Sequence, residues 1–320
     1  MATTQSQNKQ SHVSSDNSNK LTPAQTEART ILNYVLTQLQ SHPYYNATYG
    51  PWIQRNGHTQ LLTFCHTLVL PQTWNFLSHR WSLDALKPLS GDLRYSGRAI
   101  YLDGILGLDK RLRIYVGQSH NLRARVAQHL NFRYRRDHSS LHYFALQESV
   151  YNVLGAVIVL PGVNSGPGTD DMPLLMNVLE LWMCLIFRSL PIQVLEEWLP
   201  DDGSVERKRK AGKEGVVGGL NVACPLDQGR DERTFVDLSD EEDPLIKAYL
   251  KEVRRKKKEK GEEDEIVRRK EVYAEKARGY KGGDGDIRVP QWVLYSVLAG
   301  VLGYILVSSR VGQKLRWWMR

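Results

Sequence analysis

Cysteine is scarce in this chain. Cys65, Cys184 and Cys224 are its only three among 320 residues, and no two of them form a CxxC pair. That spacing argues against a structural zinc site. A sparse, odd count in a chain this long points to a reducing compartment rather than a disulfide framework. The first 25 residues hold no apolar run of the kind a cleavable secretory signal needs. His58, His66 and His79 lack an i,i+4 partner or an acid companion, so they read as ordinary structural histidines. Acids are nearly missing from one stretch. Between Arg94 and Arg136 there are ten Lys and Arg against Asp103 and Asp109 alone. This stretch carries the whole formal charge of +8, and the rest of the chain sums to zero. A basic field gathered in one place is the footprint of a polyanion partner, although a solvated basic face gives the same totals.

Residues 1–20 are Ser, Gln, Asn and Thr with almost nothing to bury, and are expected to be disordered. Thr22-Pro23 then opens a helix, Thr22 as N-cap and Pro23 at its first position. Ala28, Ile31, Leu32, Val35, Leu36 and Leu39 recur at helical spacing, and His42-Pro43 ends it. Residues 21–92 as a whole form a helical or irregular extension packed on a core domain of residues 93–228. Within that domain, Arg98 to Ile105 and Leu112 to Val116 are strand-like, and Gly107 to Lys110 supply a hairpin turn. Asn121 can cap a following helix on which Arg125 and His129, four apart, share a face. Arg133 to His138 reads as a basic loop, and Ser149 to Leu160 as a buried third strand. Met172 to Leu190 is a strong helix with Leu175, Val178, Leu179, Trp182 and Ile186 as its stripe. Glu180 is its one acid and lies beside the stripe, where a carboxylate is costly without a partner. Residues 201–219 are expected to be an exposed insertion. Asp231 to Asp243 is acidic and loose, Pro244 starts a helix, and residues 229–289 form a charged linker and helical arm.

The stretch from Arg98 to His129 resembles the GIY-YIG nuclease family. Ala99-Ile100-Tyr101 stands where that family has GIY, and Tyr115-Val116-Gly117 where it has YIG. The Arg and His that follow in the family match Arg125 and His129, its helical metal-holding Glu matches Glu180, and its late Asn matches Asn221. Together these cover about residues 96–225. The resemblance implies an α+β fold, with a three-stranded antiparallel sheet flanked by helices. It also implies an endonuclease that hydrolyses phosphodiester bonds with one Mg2+ or Mn2+ ion held by Glu180. Tyr101, Tyr115, Arg125, His129, Glu180 and Asn221 would form the active site, with Tyr101 orienting or deprotonating the attacking water. Ala99 replaces the family's Gly, and the loop between the tyrosines is slightly long.

The basic field supplies candidate contacts to nucleic acid, DNA more than RNA: Arg98, Lys110, Arg111, Arg113, Arg123, Arg133, Arg135 and Arg136. A protein that keeps the fold but only binds nucleic acid, or acts as a scaffold, is the alternative. Trp292 to Val307 carries no charge. As a helix it would span about 24 Å at ~1.5 Å per residue, short of a bilayer core of roughly 30 Å. Trp292 and Trp317-Trp318 suit interfacial positions. Residues 290–310 are therefore expected to be a transmembrane helix that meets lipid through residues 292–309. A basic tail, 311–320, would follow it. The protein would be intracellular and tail-anchored, its nuclease domain cytosolic.

Overall fold

A computed structural model describes residues 21–213, 215–229 and 235–280, with isolated helical positions between Trp292 and Val301. The first twenty residues lie outside the described residues, as does almost all of the proposed membrane helix. Among the described residues no helix is long and apolar enough to cross a membrane.

The N-terminal extension is helical. It comprises α1 (Pro23–Ser41), α2 (Asn46–Asn56), α3 (His58–Leu68), α4 (Pro71–Leu77) and α5 (Leu83–Leu86). The start of α1 is a capping box. Thr22 Oγ1 accepts from Gln25 N at 3.2 Å, and Gln25 Oε1 accepts from Thr22 N at 2.9 Å. All six of its expected stripe residues are buried. The sheet begins with β1 (Ala99–Gly107) and β2 (Leu112–Ser119), an antiparallel hairpin. Next come α6 (Leu122–Leu130), α7 (Phe132–Asp137), α8 (Leu141–Gln147), β3 (Ser149–Val159), α9 (Met172–Ile186) and α10 (Ile192–Trp198). Three two-residue strands, β4 (Ala211–Gly212), β5 (Gly215–Val216) and β6 (Gly218–Gly219), precede α11 (Pro244–Tyr280).

The main sheet has the order β3-β1-β2-β6, so the expected three antiparallel strands are joined by a fourth, parallel one. Gly218 and Gly219 run beside Arg113 and Ile114. Glycine disfavours strands by propensity, which hides β6 in the sequence. Here it allows close approach, since a Cβ at Gly219 would meet the Ser189 carbonyl. Two further expectations change. Arg133 to His138 is not a loop but largely the helix α7, because Asn131 Oδ1 accepts from Arg133 N and Tyr134 N. Residues 201–219 are not simply an exposed insertion. Val205, Val217 and Gly219 are buried, and the Glu206 carbonyl accepts from Arg188 Nε at 3.0 Å.

Directly opposed residues of an antiparallel pair share a face. On one face of the sheet, Ile100, Leu102, Ile114 and Val116 join the main core around α9. That helix is apolar nearly all round and is buried accordingly, Glu180 included. The other face carries Ala99, Tyr101 and Ile105, covered by residues of α6 and α8 such as Leu122, Val126, Leu141 and Tyr143.

The chain divides at Val253. Before it, Leu245 and Ile246 of α11 bury against Ile105 and Leu220. Asp243 caps the helix, accepting from Leu245 N at 2.9 Å. Asp243 is therefore ordered, unlike the loose acidic segment expected there. Beyond Val253, α11 is solvated through Glu275 and laced with i,i+4 pairs such as Arg255–Glu259 at 2.6 Å and Glu265–Arg269 at 2.7 Å.

Candidate active site

Register sets the geometry. Tyr101 lies opposite Gly117, and Asp103 opposite Tyr115, so all four share the face covered by α6 and α8. Gly117 leaves room for the phenol. A Cβ there would lie 2.6 Å from Tyr101 Oη and 2.7 Å from its Cζ. Ala99, where the family motif has Gly, is fully buried among Tyr101, Leu122 and Val126, so its methyl is accommodated as ordinary packing.

Helix α6 starts at Asn121, whose Oδ1 accepts from Ala124 N at 3.0 Å. One turn then brings two side chains to one hydroxyl. Arg125 Nε donates to Tyr101 Oη at 3.1 Å, and His129 Nε2 lies 2.9 Å from the same oxygen. Because that oxygen already accepts from Arg125, its own proton is free for His129 Nε2. The rings of Tyr101 and Tyr115 are 6.2 Å apart.

A cavity of about 310 Å³ opens beside them. Tyr115, Arg125, Glu180 and Asn221 line it, so the strand pair, α6, α9 and the segment after β6 converge on one space. Tyr101 and His129 do not reach the wall. They sit one layer behind Arg125. Asn221 is held by backbone. It donates to Val116 O at 2.7 Å and accepts from Val116 N at 3.0 Å, extending the ladder where β6 stops. Both ends of its amide are thus engaged in structure.

Glu180 is 2 % exposed. Gln228 Nε2 donates to its Oε2 at 2.6 Å. Gln228 Oε1 in turn accepts from Gln118 Nε2 at 2.8 Å, and Gln118 also donates to Asn177 at 2.7 Å. These neutral amides orient the carboxylate. Among the described residues no three His, Cys, Asp or Glu side chains gather as a metal cage. One carboxylate on a cavity wall fits a magnesium-type ion, which keeps several waters and takes further oxygens from substrate. It does not fit a closed structural site.

The electrostatics revise the expected role of Tyr101. Burial, and next the neighbouring Tyr115, push its phenol well above the usual range, and Arg125 only partly opposes this. Burial and the Glu180 charge raise Tyr115 to about 12. Both phenols are therefore protonated at neutral pH. Arg125 stays charged. Burial works against its charge, but Tyr101 and Tyr115 more than compensate.

Burial drives His129 down to about 2, helped by the nearby His142, Arg125 and Arg135 charges. The consequence for stability has a definite sign. The unfolded imidazole takes up its proton near pH 6.5, and the folded one stays neutral to about 2. Acid therefore favours unfolding, by up to about 1.4 kcal/mol per pH unit below 6.5. His129→Gln should flatten this dependence between pH 6.5 and 4.5 in urea melts. An unchanged slope would show that the titration belongs to another group.

Several wall residues carry no sequence signal. His142 donates through Nε2 to the buried Asp103 Oδ2 at 2.9 Å, and its ring stacks on Tyr115 at 4.0 Å. Tyr143 lines the same wall, with its buried hydroxyl unpartnered among the described residues. Such residues are spaced like core positions and reveal themselves only once the sheet brings them together.

The basic field is sorted by its surroundings. Arg113 is wholly buried and salt-bridged to Asp109 and Asp243, so it is no contact for nucleic acid. Lys110 and Arg111 occupy the hairpin tip, about 14 Å or more from Tyr115 at ~3.4 Å per strand residue. Arg111 also lies 4.0 Å from Asp109. Arg98 is half-buried at the entry to β1. Arg123, Arg133 and Arg136 are exposed on α6 and α7, and Arg135 is half-buried there. These two helices also provide Arg125 and Tyr134 of the cavity wall, and His138 follows at the C-terminal cap of α7.

No family model matches the chain, and neither a curated protein nor a solved structure gives a match.

Proposed function

We propose that the protein is a metal-dependent endonuclease of GIY-YIG type, with DNA as its expected nucleic acid. One observation carries this reading. Arg125 and His129 meet on the Tyr101 hydroxyl, while Arg125, Tyr115 and Glu180 share one cavity. Phosphodiester hydrolysis needs negative charge on the phosphoryl oxygens to be stabilised as it develops. Arg125 supplies a charged fork held in place by Tyr101 through Nε and by Gln128 through Nη1, at 3.1 Å each. Tyr101 and its neutral partner His129 are positioning residues acting through Arg125. The protonated Tyr115 hydroxyl offers a donor to the phosphate. Glu180 is the residue that would hold Mg2+ or Mn2+, whose contribution when bound is Lewis-acid activation of water and phosphate. The residual basic face is that of α6 and α7.

The test is nicking of supercoiled plasmid by the full chain with Mg2+ or Mn2+, alongside labelled DNA and RNA strands. Metal-dependent product supports the reading. Binding without cleavage under every metal condition would leave the binding or scaffold alternative instead. Arg133→Glu combined with Arg136→Glu should weaken binding at least tenfold at low salt and lessen the slope of log affinity against log salt. An unaltered slope would move the nucleic-acid face elsewhere. The uncharged run Trp292 to Val307 supports a bilayer tether. Release of the chain from membranes by alkaline carbonate would contradict that tether.

A further inference from the structure

Asp103 and His142 form a buried dyad that the roles above do not use. Asp103 is fully buried in the middle of β1, where an unpaired carboxylate would be costly. Its Oδ1 accepts from Asn152 Nδ2 at 2.9 Å, and its Oδ2 from His142 Nε2 at 2.9 Å. The ring of His142 is fixed on both sides. It stacks on Tyr115 with planes 8° apart, and it meets His129 edge-on at 5.0 Å. The titratable groups around it are Asp103 on β1, Tyr115 on β2, His129 on α6 and Tyr143 on its own helix. His142 nevertheless lines the cavity. With Nε2 committed to Asp103, Nδ1 is the ring nitrogen left for the cavity, and among the described residues no side chain engages it. A carboxylate behind a histidine fixes its tautomer and orientation.

We propose that His142 is the general acid that protonates the leaving oxygen of the cleaved phosphodiester. This rests on the endonuclease reading and assigns a step that reading leaves open. Water forms the new P–O bond, and the proton it sheds as it becomes a phosphate oxygen passes to solvent. The old P–O bond breaks, and its electron pair goes to the leaving oxygen. The Nδ1 proton of the imidazolium passes to that oxygen, leaving a neutral ring with Nε2–H still on Asp103. Solvent reprotonates Nδ1 for the next turnover. His129, held neutral by burial and by the neighbouring His142, Arg125 and Arg135 charges, cannot serve as this acid.

The experiment uses the full chain with Mg2+ and two DNA strands. They differ only in the bridging atom that leaves at the mapped cleavage position, oxygen in one and sulfur in the other. A thiolate leaves without a proton. His142→Gln should therefore slow cleavage of the oxygen strand by about 100-fold or more, the usual contribution of a general acid. It should leave the sulfur strand within a few-fold of wild type. Asp103→Asn should show the same pattern with a smaller loss. The oxygen-to-sulfur ratio is internal to each variant, so a partly unfolded preparation does not alter it. Equal losses on both strands, or no loss on either, would overturn the acid role and leave His142 a packing residue. Failure of the wild type to cut either strand would instead overturn the endonuclease reading, and this proposal with it.

Discussion

Arg125→Ala is expected to slow plasmid nicking by about a thousandfold or more while leaving the melting temperature within a few degrees. The magnitude follows from what the guanidinium is asked to do. Removing one fixed donor from a developing oxyanion costs about 10²–10³ in rate, and an arginine on a transferring phosphoryl group is worth about 10³–10⁵. Arg125 meets the conditions for the larger effect. It lines the cavity, it keeps its charge, and Tyr101 and Gln128 hold its orientation. Arg125→Lys should recover little, because an ammonium has neither the fork nor the Nε bond to Tyr101. Tyr101→Phe should fall between wild type and Arg125→Ala, since it frees the guanidinium without removing it. If it matched Arg125→Ala in rate, the phenol would have a direct part in the chemistry, and the positioning role given to it here would be wrong.

Arg113→Ala is expected to have the largest effect on stability, about 3–5 kcal/mol, the usual cost of removing one partner from a buried ion pair. Arg113 has no exposed surface. It donates to Asp109 through Nη1 at 3.0 Å and Nη2 at 2.6 Å, and to Asp243 through Nε at 2.8 Å and Nη2 at 2.6 Å. The group joins the hairpin to the cap of α11, so its loss should also fray the start of that helix. Replacing Arg113 and Asp243 together by apolar residues of similar volume should cost much less, since no buried charge is then orphaned. Equal losses for the single and double variants in urea unfolding would mean the pair is not coupled as its geometry indicates.

The same residue shows where sequence reading reaches its limit. Arg113 belongs to a run of like charge, and in one dimension nothing separates it from Arg111 or Arg133. Its burial depends on Asp243, 130 positions later in the chain. The hairpin was legible because Tyr101 and Tyr115 end apolar runs around a turn, and Glu180 because a lone acid stands out in an apolar helix. Asn221 is matched only by resemblance, and its grip on the Val116 backbone is not legible in the sequence, since that depends on where the two-residue strand β6 stops. Asp103 registered only as a charge and His142 not at all. The dyad spans 39 positions and closes only when α8 packs on the sheet. Local periodicity reports which face a side chain takes, and what meets it there is decided by packing between elements distant in sequence.

The central claim is that Glu180, with Arg125 and Tyr115 on the same wall, makes this cavity a phosphodiesterase centre. Its most direct test is the rate of supercoiled-plasmid nicking as Mg2+ is titrated, for the wild type and Glu180→Gln purified side by side. The expected result is a saturable rise from zero for the wild type and a loss of about a thousandfold or more for Glu180→Gln, with DNA binding retained. Equal cleavage by both proteins, or none by the wild type at any Mg2+ concentration while DNA remains bound, would contradict it.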